Sequence, residues 1–204
     1  MKEFEIKNES GRSMIEMLGV LAIIGVLSVG GIAGYSKAMM KYRINKTIEQ
    51  ITLIAGNVRT FFAPQRNYIG FDNQEHKQII KKARLVPDEM WNDEIIYNIF
   101  GGAVTFDWQN RADNTLDAED NKAFSMEFSD IPEEACIDIV THDWNYANAA
   151  AIYISGGLSG TLKTPISVDK AVKYCSNNNT TTSITLYFDI QIGSVAWPES
   201  VFDN

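Results

Sequence analysis

Residues 11–35 read GRSMIEMLGVLAIIGVLSVGGIAGY, and their reading decides the fold. From Met14 to Tyr35 the only formal charge is Glu16. From Met17 to Tyr35 there are 19 residues whose only aliphatic polar side chain is Ser28. As a helix that length spans roughly 28 Å, close to the ~30 Å hydrocarbon core of a bilayer. An all-round apolar run of this length is rare as the core helix of a small soluble domain. That makes a core helix the weakest of three readings, the others being a cleaved secretory signal and a retained anchor. Gly31-Ile32-Ala33 offers a small-x-small cleavage pattern. The segment before the run, MKEFEIKNES, is net acidic where a signal peptide is basic.

The sequence beyond Tyr35 favours an anchor that continues as a helix. Met40, Ile44, Ile48, Ile51, Ala55, Val58 and Phe62 recur at three- and four-residue steps among charged residues. No proline intervenes before Pro64. The pattern predicts one helix over Ser13–Phe62, about 75 Å long at 1.5 Å per residue. Its first half is apolar all round, and its second half has a single stripe to lay on a domain.

Totals bound the rest. The chain has 204 residues and a net charge of −8, which suits one water-facing domain with an appendage. That balance excludes a protein that coats nucleic acid through a basic face. Cys136 and Cys175 are the only cysteines, too few for a zinc site without nearby histidines. They read as one disulfide in an exported domain, or as two buried thiols otherwise.

Past Phe62, APQRNYIGFDN reads as a loop and QEHKQIIKKARLV as a short helix ended by Pro87. Lys77, Lys81, Lys82 and Arg84 make that helix a basic patch, either a solvated face or a surface for an acidic partner. EIIYNIFGGAVTFDW suggests a hairpin turning at Gly101-Gly102. FSMEF and SITLYFDI alternate as half-buried strands. NYANAAAIYI suggests an edge strand or connection. IPEEACIDIVTHDW reads as a helix opened by Asp130 and Pro132, and SVDKAVKYC as one capped by Ser167. Strands in hairpin order with helices set aside predict an antiparallel α+β domain, one sheet face covered by the stripe Ile44 to Phe62.

Catalytic chemistry is not written in the chain. His76 and His142 are isolated, and GGLSG at 156–160 is neither a nucleophile elbow nor a phosphate loop. Asp113, Asp117, Glu119 and Asp120 supply oxygen ligands that suit calcium, but without EF-hand spacing, so a solvated loop is the expectation. Asn179 precedes Thr180-Thr181 in a glycosylation-type pattern. No cofactor is implied.

Gly11, Glu16 five residues later, a short charged leader and a long apolar helix together resemble the N-terminal signature of type IV pilins and pseudopilins. The resemblance covers Gly11 to about Phe62, and beyond that only the architecture. It implies a leader (1–11) cut by a prepilin peptidase between Gly11 and Arg12. A helix (12–62) would follow, with 14–35 spanning the membrane and later lining a filament core. A globular α+β head (63–204) would carry a C-terminal region bounded by a Cys136–Cys175 disulfide. The implied assembly is a homo-oligomeric helical filament, built at an inner-membrane platform by subunits drawn from the inner membrane. The filament would be extracellular or periplasmic. Glu16 is expected to meet the terminal amine of a neighbour and set register.

Two features depart from the family pattern. Arg12 stands where an apolar residue with a methylated amine is usual, which puts N-terminal methylation of Arg12 in question. The usual helix-kinking proline is replaced by Gly30, Gly31 and Gly34. These glycines read either as a weak spot that bends on assembly or as a G-x-x-x-G pair for close helix packing. Lysine and arginine counts favour the C-terminal side of the span as cytoplasmic. The resemblance implies the opposite, and the cysteine pair agrees with the resemblance. A minor pilin, a type II secretion pseudopilin, and a secreted periplasmic binding protein with a cleaved signal peptide are the alternatives.

Overall fold

A computed structural model describes residues 10–72, 75–109, 121–156, 158–176 and 181–190. The chain divides into two compact units, Met1–Tyr42 and Arg43–Asn204. Helix α1, Ser10–Phe62, contributes to both. Nothing breaks its hydrogen-bond ladder before Pro64, which cannot donate. The chain then turns, the amides of Gln65 and Arg66 both reaching the carbonyl of Phe62, with Arg66 at φ 61°.

In the second unit α1 buries Ile44, Thr47, Gln50, Ile51, Ile54, Ala55, Val58 and Phe62. The apolar stripe is thus as expected from Ile44 onward, with two differences. Ile48 is only half-buried, and Ile54 takes the interior place. Thr47 and Gln50 share the buried face because each finds a partner there, Thr47 the carbonyl of Arg43 and Gln50 the carboxylate of Glu89. Full burial of each isoleucine contributes about 1.5–3 kcal/mol.

After α1 come α2 (Lys77–Lys82) and the two-residue strands β1 (Trp91–Asn92) and β2 (Ile95–Ile96), paired with each other. Five further strands form one antiparallel sheet, β3 (Val104–Gln109), β4 (Ala123–Ile131), β5 (Ala149–Ser155), β6 (Gly160–Lys163) and β7 (Thr182–Phe188). Their order is β3-β4-β7-β5-β6, so the last strand in sequence lies in the middle of the sheet. Helices α3 (Glu133–Val140) and α4 (Val168–Cys175) lie against each other, joined by the Cys136–Cys175 disulfide with Cα atoms 5.8 Å apart. Closing a loop of that separation, 39 residues, contributes about 3–4 kcal/mol in the chain-entropy picture.

The sheet face that carries the core is aromatic. Phe124 stacks on Phe188 (4.8 Å) and Phe71 on Phe106 (4.8 Å), with Tyr68 4.7 Å from Phe124. β7 alternates as its sequence predicts, Thr182, Ile184, Leu186 and Phe188 buried and the residues between them half-buried.

Several local expectations are corrected. The run AAAIYIS is not an edge strand: β5 lies between β7 and β6, and the edge is β6, GTLK, too short and glycine-led to announce itself. Asp130 does not open α3. It sits inside β4 at φ 57°, where the β4–β7 register shifts, and Pro132 holds the N-cap position instead. Ser167 does precede α4, but its side chain makes no capping bond. The turn at Gly101-Gly102 closes a short bridge, Tyr97 with Ala103, while β2 pairs with β1 rather than with β3. Buried Asn98 builds that turn, donating to the Ser129 carbonyl (2.7 Å) and accepting from the Phe100 amide (2.8 Å). At Gly102 a Cβ would overlap the Ser129 carbonyl oxygen, so only glycine fits.

Candidate functional site

Two features of α1 carry the candidate function, its apolar first half and the polar joints of its second. Between Met14 and Tyr35 the large apolar side chains, from Met14 and Ile15 to Ile32 and Tyr35, are each 52–76% exposed. The most apolar window of this helix is 0% buried. Exposed apolar area on this scale is far beyond what a soluble monomer carries and marks a surface meant for lipid or for other protein.

Glu16 lies near the start of this surface, itself exposed. A carboxylate at a bilayer centre costs about 2.5–3.5 kcal/mol, so a place near one end is the cheaper one. Gly11 and Arg12 fall in the first turn of α1, whose side chains through Ser13 lie outside the described residues. The helix passes without interruption through Gly30, Gly31 and Gly34. Beyond the helix's own backbone, no atom of the described residues lies within 4 Å of where a Cβ would stand on any of the three. Nothing within the chain's own packing therefore calls for glycine there, although each costs about 1 kcal/mol of helix propensity relative to alanine.

The second half of α1 is tied down along its length. Lys46 (3.1 Å) and Gln50 (3.1 Å) both reach Glu89 in the short turn Asp88–Met90. The bond from Gln50, then that from Lys46, holds the Glu89 carboxyl below the usual range, and the bond to Glu89 raises Lys46. Asn57 donates to the Leu85 carbonyl. At the last turn Arg59 grips Asp189 through both Nε (3.1 Å) and Nη2 (3.2 Å) and donates to the Ala147 carbonyl (2.6 Å). Its guanidinium also lies 5.7 Å from the ring centres of Phe124 and Phe188. Tyr68 donates to Asp189 (2.8 Å), and Asn148 donates to the same carboxylate. Burial first, then the charge of Asp189, pushes the Tyr68 hydroxyl well above the ordinary tyrosine range. Four separate stretches of chain thus meet at one carboxylate: the end of α1, the loop after it, the turn before β5 and the end of β7.

Sequence reasoning places Arg59 only as a polar spacer and misses this joint. The available signal is its position, four residues after Ala55 and three before Phe62, on the flank of the buried stripe. Cys136 and Cys175 are joined as the resemblance implies. His76 pairs with Asp72 (2.6 Å) at the start of α2, and His142 bonds Tyr146 (3.0 Å), which is local scaffolding in both cases. Asp113, Asp117, Glu119, Asp120 and Asn179 lie outside the described residues. Among the described residues no cluster of histidine, cysteine, aspartate and glutamate suits a metal.

A helix packed by its second half on an antiparallel sheet, with a disulfide-bounded helix pair beside that sheet, is the type IV pilin fold. The structure is similar to a type IV b pilin from Salmonella typhi (TM-score 0.54, 15% identity), covering 71% of this chain and 99% of that one. It is also similar to TcpA, a type IV pilin from the Vibrio cholerae El Tor biotype (TM-score 0.50, 12% identity), covering 72% and 98%. No curated protein matches the sequence. Residues 41–187 match the family described as PilS N terminal, and the chain belongs to that type IV pilin family. It is a structural subunit of the pilin type, not an enzyme.

Proposed function

We propose that the chain is the building subunit of a type IV pilus-like filament, made as a precursor and cut between Gly11 and Arg12. The supporting observation is the first half of α1, apolar on every side and exposed throughout. Residues 14–35 hold the subunit in the bacterial inner membrane, then bury the same surface against neighbouring helices as the subunit joins an extracellular or periplasmic filament. The glycines at 30, 31 and 34 serve that second state, because the isolated chain has no packing use for them.

Glu16 sets register. Cleavage creates a positive α-amine at Arg12, and a buried carboxylate is tolerable only beside such a partner. An incoming subunit's Glu16 therefore meets the terminal amine of the subunit already in place. A prepilin peptidase and an inner-membrane assembly platform are the partners this route requires.

The experiment is the intact mass of filament-associated protein together with a Glu16→Ala variant. The expected results are a mature chain starting at Arg12, and a variant that inserts in the membrane but yields few filaments. A mature start at Gly34 or beyond identifies a cleaved signal peptide and refutes the reading. Normal filaments from Glu16→Ala refute the register role.

A further inference from the structure

We infer that the basic helix α2 of one subunit docks on the acidic helix α3 of a second copy, making a charge-matched contact between heads in the filament. The inference rests on the filament reading above and names the partner surface within it.

The observation is a segregation of charge within the second unit. Residues 77–84, KQIIKKAR, hold four cations and no acid. Residues 130–143, DIPEEACIDIVTHD, hold five acids and no lysine or arginine. The basic side chains are presented outward: Lys81, Lys82 and Arg84 are exposed, and Ile79 beside them is 40% exposed. None of the four cations pairs with a carboxylate among the described residues. Lys81 donates to the Asp93 carbonyl and lies 5.2 Å from the centre of the Trp91 ring, which holds it in place without neutralising it. Asp88 and Glu89 follow in sequence, but Glu89 is engaged by Lys46 and Gln50.

On the other surface Glu133, Glu134 and Asp143 are exposed. Glu133 accepts from the Ser176 hydroxyl and Asp143 from the Asn145 amide, so neither is neutralised. The neighbouring α4 carries Lys170 and Lys173 with Asp169, and Asp138 and Lys170 are engaged already, so the negative surface on offer is that of Glu133, Glu134 and Asp143.

Two facts turn this segregation into an interface. With residues 1–11 removed, and with them two lysines and three glutamates, the copies are still strongly negative and repel unless opposite patches meet. A patch that contacts a different patch on an identical neighbour makes a heterologous contact, and heterologous contacts that do not close into a ring repeat into open helices, the symmetry a filament needs. Such charge pairs set register and partner choice more than raw affinity, leaving the bulk of assembly to the apolar helix.

The test reverses each surface in the full chain and measures sheared filament yield in cells. Lys81→Glu with Lys82→Glu, and separately Glu134→Lys with Asp143→Lys, should each lower yield several-fold. Membrane-inserted subunit should be unchanged, and melting temperature should fall only slightly, by the loss of the local contacts of Lys81 with Asp93 and Trp91 and of Asp143 with Asn145. The four substitutions combined should restore filaments. Wild-type filaments should also dissociate more readily as ionic strength rises, a readout that no variant's folding affects. Single reversals that assemble like wild type, salt-indifferent wild-type filaments, or a well-folded combination that stays defective would each overturn the contact while leaving the filament reading intact. Absence of wild-type filaments would overturn both.

Discussion

The two halves of α1 share one helix and answer to different partners. From Met14 to Tyr35 the side chains are apolar on every face and more than half exposed. From Arg43 to Phe62 one stripe is buried and the exposed residues are mixed, Arg43, Asn45 and Glu49 beside Leu53 and Phe61, with polar residues fastened to Glu89, Leu85 and Asp189. The lesson is that propensity makes both halves helical, whereas the distribution of apolar residues around the axis decides what each half is for. The second half is solved within the chain; the first is left open for something outside it.

Stability measurements in detergent break or sharpen this contrast. Ile54→Ala, on the buried stripe, should cost the head about 2–5 kcal/mol, whereas Ile23→Ala should change it by less than about 0.5 kcal/mol. Equal losses in denaturant titrations would erase the distinction between the halves. Replacing Cys136 and Cys175 together by serine should cost about 3–4 kcal/mol without altering membrane association. Asp189→Asn should cost about 2 kcal/mol, since three side chains, Arg59, Tyr68 and Asn148, converge on that carboxylate and their bonds to it lose its charge.

Tyr68→Phe should cost about 1 kcal/mol near pH 7. Because the folded state raises the Tyr68 pKa, its contribution is whole below the unfolded value near 10 and falls as pH rises through that value toward the folded one. Wild type should therefore lose stability faster than the phenylalanine variant above about pH 10. Parallel pH profiles would mean that neither burial nor Asp189 raises the Tyr68 hydroxyl. Under the proposed register role of Glu16, Arg12, four residues before it in sequence, is a rival partner, and Arg12→Phe should alter filament yield alone, the smallest effect here. Unaltered yield would remove Arg12 from assembly.

Much of this fold was legible because its signals are long. A helix without proline to Phe62, the apolar run and the three-four stripe are each repeated many times, so the misassignment of Ile48 leaves the stripe standing. The strand pattern of β7 was equally plain. What stayed hidden depends on distant partners. Thr47 and Gln50 look like surface residues until the Arg43 carbonyl and Glu89 satisfy them. Arg59 looks like a spacer until Asp189, 130 residues away, receives it. β6 has too few residues to show a period, and Asp130 mimics a helix cap because its positive φ belongs to a shifted strand register. For the functional half the converse holds. Its proposed role was readable from sequence because an apolar run of that length shows without any distant partner, and among the described residues it stays exposed.

The most direct measurement uses two residues of α1 with matched exposure, Ile24 at 52% and Leu53 at 50%. Each is replaced by glutamate, and filament yield is compared with the amount of folded subunit. The account predicts that Ile24→Glu abolishes filaments while Leu53→Glu assembles near the wild-type level. Filaments from Ile24→Glu, or equal loss from both, would contradict it.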